Sequence, residues 1–167
     1  MNLYSIVSKK DKELLSQYLK NNDINETNEQ GRSGLDSAVS NDFPEGVFYL
    51  LDTGIDTTIR NKNGDTALHI AVKLGMKEAV EAILKKDLSA LNIRDADGNN
   101  VLWTALFKGR SNPEIYFPIA DILLKAGVDH RNKNNSGKDV SYILQIATDS
   151  IKERILDLNS HYNFLDQ

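Results

Sequence analysis

Three glycines, Gly31, Gly64 and Gly98, stand 33 and 34 residues apart. A self-match at that period marks a chain made of stacked copies of one small unit, each unable to bury an apolar face alone. Such a chain folds through a row of nearest-neighbour interfaces, with no single central core. The copies run Asn28-Glu29-Gln30-Gly31-Arg32-Ser33-Gly34-Leu35, then Asn61-Lys62-Asn63-Gly64-Asp65-Thr66-Ala67-Leu68, then Asp95-Ala96-Asp97-Gly98-Asn99-Asn100-Val101-Leu102. A degenerate fourth copy opens at Asn134 and places Gly137 in register. Two residues past the glycines stand Ser33, Thr66, Asn100 and Asp139. All four are N-cap residues, whose side-chain oxygens accept from the free amides of a first helical turn. The glycine itself suits a tight turn at positive φ.

Leu and Ala follow at one helical face in the first three copies: Leu35 and Ala38, Leu68 and Ala71, Leu102 and Ala105. The i, i+3 spacing gives one buried stripe. The fourth copy has Ser141 and Leu144 there, as expected where one side of a stack faces water. Each first helix is expected to end near Asp42, Gly75 or Gly109. Second helices follow through Val47–Leu51, Val80–Leu84 and Ile119–Leu124 and end at Gly54, Asp87 and Gly127.

Asn61-Lys62-Asn63-Gly64-Asp65-Thr66-Ala67-Leu68-His69-Ile70-Ala71 resembles the ankyrin repeat, whose pattern reads D-x-x-G-x-T-P-L-H-x-A. Gly54-Ile55-Asp56 and Gly127-Val128-Asp129 match that family's G-A-D. The resemblance implies an all-α ankyrin-repeat solenoid of about five helix-turn-helix units with short hairpin fingers. The expected division is an N-cap over 1–27, repeat one over 28–60, repeat two over 61–94, repeat three over 95–133, a C-cap over 134–158 and a polar tail over 159–167. Gly31, Gly64, Gly98, Gly137, Gly75, Gly109 and Gly127 become framework glycines. Thr66, Leu68, Ala71 and Leu102 become framework positions too, and the His69 imidazole is expected to tie Thr66 to the helix.

Composition removes several classes of function. Cysteine is absent, so neither disulfides nor thiolate chemistry are expected. A net charge of −4 argues against nucleic acid, which needs a basic footprint. No apolar run approaches the ~20 residues of a membrane span, and charges at Lys9, Lys10, Asp11 and Lys12 precede any long apolar stretch, unlike a secretory signal. This fits a cytoplasmic protein. His69, His130 and His161 show no i, i+4 pair for a metal, and Gly137-Lys138 lacks the rest of a phosphate loop. Scattered carboxylates offer no acid/base pairing. No catalysis, cofactor or metal is expected.

Repeat three carries six extra residues within 110–118, counted against repeat two. Pro113 suits a first helical position, and Pro118 is expected to force a kink or a restart. Ile115, Tyr116 and Phe117 are too many apolar groups for the standard repeat core. They form either a local plug or a partner-binding knob. The resemblance places a partner in the groove between fingers and first helices. There the candidate contacts are Arg32, Asn41, Lys62, Asp65, Lys73, Leu74, Asp97, Asn99, Trp103, Phe107 and Lys108. Leu74 and Phe107, apolar where the fold leaves residues exposed, are expected side by side with Trp103 near, which fills the place of His69 one repeat earlier. The implied function is a non-catalytic scaffold that binds another protein, as a monomer more than as a homodimer. Small, acidic ankyrin proteins resemble some bacterial immunity proteins, which neutralise a toxin. A regulatory or host-directed adaptor is the alternative reading, and an enzyme a remote one.

Overall fold

The helices start where the caps stand. In the computed structural model, which describes residues 2–165, Ser33, Thr66 and Asn100 each accept the amide three residues on with a side-chain oxygen. These bonds open α3 (Gly34–Ser40), α5 (Ala67–Leu74) and α7 (Val101–Gly109). Asp139 accepts from the amide and hydroxyl of Ser141 instead, so α9 (Ser141–Ile146) begins a residue later than the pattern predicts. Before them come α1 (Leu3–Val7) and α2 (Lys12–Leu19), capped by Asn2 and Asp11. The second helices are α4 (Pro44–Thr53), α6 (Lys77–Lys86), α8 (Pro113–Lys125) and α10 (Asp149–Tyr162). The described residues contain helices, turns and bends and no strand.

The helices stack in two rows. In the inner row, α3 packs against α1 and α5, and α5 against α7; in the outer row, α4 meets α6, α6 meets α8 and α8 meets α10. Leu35, Leu68 and Leu102 are fully buried, with Ala38, Ala71 and Ala105 beneath them. Small and large residues alternate along this seam, so neighbouring helices interdigitate at close range.

First helices end in three different ways. Asp42 turns in the left-handed region at φ +51°, and Gly75 caps α5 at φ +71°. Gly109 departs from the expected turn: it is the last residue of α7, without positive φ, and Arg110 caps the helix. Its missing side chain admits a neighbour, for a Cβ there would stand 3.0 Å from the Phe117 ring.

Part of the extra length of repeat three goes into the second helix. α8 has 13 residues against 10 in α4 and α6, with Pro113 in its first turn. It runs unbroken through Pro118, so the expected restart does not occur. Pro118 lies near the start of the helix, and the bond its missing N–H forfeits is to the Glu114 carbonyl in the solvated first turn. Tyr116 and Phe117 are buried, the local plug of the two expected arrangements, which corrects their inclusion among candidate partner contacts. The Tyr116 hydroxyl donates to the Lys73 carbonyl at 3.1 Å, and Phe117 packs on Gly109.

The end of the chain also differs from the expected polar tail. α10 continues to Tyr162, and Phe164 and Leu165 are buried. The Tyr162 hydroxyl donates to Asp121, and Asn159 accepts from the Leu165 amide at 2.7 Å. Two apolar side chains in a polar context were enough to fold the segment back. Asp166 and Gln167 lie outside the described residues.

Candidate partner-binding face

The fingers that connect the pairs are built by one side chain each. Asn28, Asn61, Asp95 and Asn134 accept, through a single Oδ1, the backbone amides two and four residues later at 2.8–3.2 Å. These Asx turns hold the loop closed without help from neighbours. The loops are then joined in series: the amides of Lys62, Ala96 and Asn135 donate to the carbonyls of Gln30, Asn63 and Asp97. Gly64, at φ +74°, is required where two fingers meet, since a Cβ would stand 2.7 Å from the Ala96 nitrogen.

Arg60 and Arg94 reinforce the row. Arg60 donates from Nε to Gly64 O at 3.1 Å and from Nη2 to Arg94 O at 2.7 Å. Arg94 repeats this one unit later, on Gly98 O and Lys133 O. Neither arginine is among the framework positions that the repeat pattern marks. The signal was the period itself, because they stand 34 residues apart, each directly before the Asx residue of a finger.

Beneath the fingers of repeats two and three lies a charged tie. Lys73 Nζ is 2.6 Å from Asp65 Oδ1 and 3.6 Å from Asp95 Oδ2, both carboxylates being buried. His69 lies behind them, fully buried, its Nδ1 2.9 Å from Thr66 Oγ1. Burial pushes the imidazole below its ordinary pKa against the pull of Asp65 and Asp95, so the ring is held neutral. In repeat one the same position is Asp36, fully buried, with Oδ1 accepting from the Ser33 hydroxyl and Oδ2 without a partner. Burial raises its carboxyl to about 7, although Ser33 and Arg32 pull it down.

The expected contacts therefore divide. Asp65 and Asn99 are buried, correcting their placement as exposed groove residues: Asp65 is held by Lys73, and Asn99 Oδ1 accepts from Asn134 Nδ2 at 3.0 Å. Lys73 is turned inward by the same tie. Asn41 folds onto its own helix, donating to Ser37 O at 2.8 Å, and Arg32 reaches the Tyr4 hydroxyl at 3.4 Å. Lys62 and Asp97 are exposed, and Lys108 is half-buried, its ammonium 5.7 Å from the Tyr116 ring centroid.

Among the described residues the large apolar side chains left exposed are Phe48, Leu74, Leu88, Phe107, Ile115 and Leu156, and two places hold Leu74, Ile115 and Phe107. Counted from the leading glycines, Phe107 corresponds to Lys73 and Leu74 to Lys108. Leu74 is exposed beside Gly75, and Ile115, 49% exposed, sits over that glycine. The second place is a hollow of about 360 Å³ between α7 and α9, floored by the third and fourth fingers. Trp103 and Phe107 stack in it at 4.8 Å with rings 11° apart, and Tyr142 and Ile146 line it opposite. Arg110 lies over Phe107 at 4.7 Å and Lys138 over Tyr142 at 3.8 Å. Tyr142, Lys138 and Arg110 were not foreseen, because only the packing of α9 and the end of α7 brings them to the rings.

The described residues hold no group of three or more His, Cys, Asp or Glu able to take a metal, and no helix long and apolar enough to cross a membrane. Serial helix pairs joined by bonded fingers, with aromatic and basic side chains on the finger face, define a helical-repeat scaffold. A family model described as ankyrin repeats (3 copies) matches residues 35–134. The chain belongs to the ankyrin-repeat family. It is 30% identical over 145 residues to the phosphocholine transferase AnkX of Legionella pneumophila, an alignment covering 83% of this chain and 14% of that protein. It is 31% identical over 157 residues to the ANK repeat-containing protein nipk-1 of Caenorhabditis elegans, covering 87% and 25%. A shorter stretch of 54 residues is 48% identical to the NAD-capped RNA hydrolase NUDT12 of Homo sapiens, covering 32% and 12%. The chain thus spans a quarter or less of the length of each of these relatives.

Proposed function

We propose that this chain is a non-catalytic scaffold that binds another protein through its finger face. The observation that carries the reading is the Trp103–Phe107 stack, with Phe107 39% exposed at the edge of an open hollow. Exposed aromatics in a recess are the usual anchors of protein interfaces. The buried charged tie at Lys73, Asp65 and Asp95 braces the fingers and offers a substrate no open pocket. The enzymes among the relatives match this chain over 14% and 12% of their own lengths, which supports a repeat module in place of their chemistry.

Within that class the chain acts as an immunity protein, neutralising a toxin in the cytoplasm as a monomer. Its net charge of −4, the lack of cysteine and the resemblance noted above support this version. A regulatory or host-directed adaptor is the alternative, and the identity of the partner separates the two. The test is a pull-down with the tagged chain from its native lysate, run beside Phe107→Glu and Leu74→Glu. One stoichiometric partner, lost with Phe107→Glu at unchanged melting temperature, is the expected outcome. Loss with Leu74→Glu alone moves the site to the Leu74–Ile115 patch. Retention by both variants overturns the finger-face reading. Co-expression with the captured protein then shows whether that protein is toxic and whether this chain restores growth.

A further inference from the structure

We propose that the hollow between α7 and α9 takes an acidic peptide segment carrying one aromatic or large aliphatic side chain. This deepens the protein-binding reading and rests on it. Trp103, Phe107, Tyr142 and Ile146 give the hollow its apolar walls, polar finger residues floor it, and its 360 Å³ admits a side chain with its flanking backbone. The charge of the partner follows from what already covers the rings. The Arg110 guanidinium lies over Phe107 and the Lys138 ammonium over Tyr142. Neither cation has a carboxylate within 4.0 Å among the described residues, and neither do Lys62, Lys108 or Arg32. Asp95, in the third finger, is held by Lys73.

An incoming cation would therefore meet like charge at both rings, although aromatic surfaces ordinarily attract it. A carboxylate meets two cations that the fold leaves without acidic partners. The apolar side chain beside it is desolvated by the walls, while the charges orient the segment and speed encounter. Asp97 is the exposed acid of the lining, on the opposite finger from Lys138, and it disfavours acid at that end of the segment. Acid is thus drawn to the two cations and kept from Asp97. A single strand of nucleic acid would also stack on aromatics, but it repeats its charge at every nucleotide and would meet Asp97 on a chain of net charge −4.

Trp103 is the chain's sole tryptophan, so its emission reports the hollow directly. The probes are four: blocked peptides Glu-Asp-Phe-Asp-Glu, Glu-Asp-Ala-Asp-Glu and Lys-Lys-Phe-Lys-Lys, and an oligothymidine, each titrated into the full chain at low salt. The Phe-containing acidic peptide is expected to shift Trp103 emission saturably. The Ala peptide, and the Phe peptide with Lys138→Gln or Arg110→Gln, should bind about tenfold more weakly, the size of a partly desolvated pair or anchor. Equal or tighter binding of the basic peptide or of the oligothymidine overturns the proposal, as does the absence of saturation by the acidic one. If that happens while Phe107→Glu still loses the captured partner, the scaffold reading stands and the acidic specificity alone falls.

Discussion

The position three residues past each N-cap shows how far one residue type tunes a shared backbone. His69, Asp36 and Trp103 occupy it in successive units, and each meets a different fate. His69 returns a bond to Thr66, Trp103 turns to the hollow, and Asp36 is sealed in with one oxygen unpartnered. A buried carboxyl with its pKa raised to about 7 keeps its proton in the fold while the unfolded chain, at ~3.9, loses it. The fold binds more protons between those values, so this group's contribution to stability declines as pH rises from about 4 to about 7. His69 acts in the opposite sense: its lowered pKa means the unfolded chain takes up a proton first, so stability declines as pH falls below ~6.5. Asp36→Asn is expected to raise the denaturation midpoint at pH 7.5 and to leave only the histidine slope between pH 7 and 5. A variant whose midpoint tracks the parent protein at every pH would show that Asp36 is ionised and solvated in the fold.

At the scale of elements, the finger is the unit that the sequence wrote most legibly. Its Asx residue, glycine and N-cap recur at fixed offsets, because each satisfies a bond within the same loop. What links one finger to the next is less legible, since Arg60 and Arg94 act across units on backbone carbonyls that any residue could supply. Arg94→Ala should cost about 1 kcal/mol by urea unfolding, a net hydrogen-bond contribution at a solvent-exposed site. Gly64→Ala should cost more, at least about 2 kcal/mol, from the left-handed backbone and the collision with Ala96 N together. Equal losses from the two substitutions would mean the fingers are coupled by the arginines and not by backbone approach. The helix α8 gives the contrary lesson. Pro118 predicted a break, yet the forfeited bond lies in a first turn where water replaces it, while burial of Tyr116 and Phe117 rewards continuity.

Across the whole molecule, stability passes from neighbour to neighbour, so the two ends are where the stack is thinnest. The C-terminal unit has a short α9, and its α10 packs on α8, where Tyr162 donates to Asp121. Phe164, 2% exposed, is expected to cost about 3–5 kcal/mol when cut to Ala. Hydrogen exchange should then quicken in α9 and α10 while α5 and α6 keep their protection. Uniform loss along the chain would show that the five pairs unfold as one cooperative block. The sequence by itself determined the repeat, its caps and its buried Leu–Ala seam, because these depend on residues close in the chain with a fixed spacing. It also marked Trp103 and Phe107, which share a helix. The tertiary structure alone decided that Asp65, Asn99 and Lys73 turn inward, that Phe164 and Leu165 fold back, that Lys138 and Tyr142 line one hollow with Trp103 and Phe107, and that Arg110 covers Phe107. Those outcomes depend on which polar groups find partners, and which apolar groups find cover, across units that no local spacing connects.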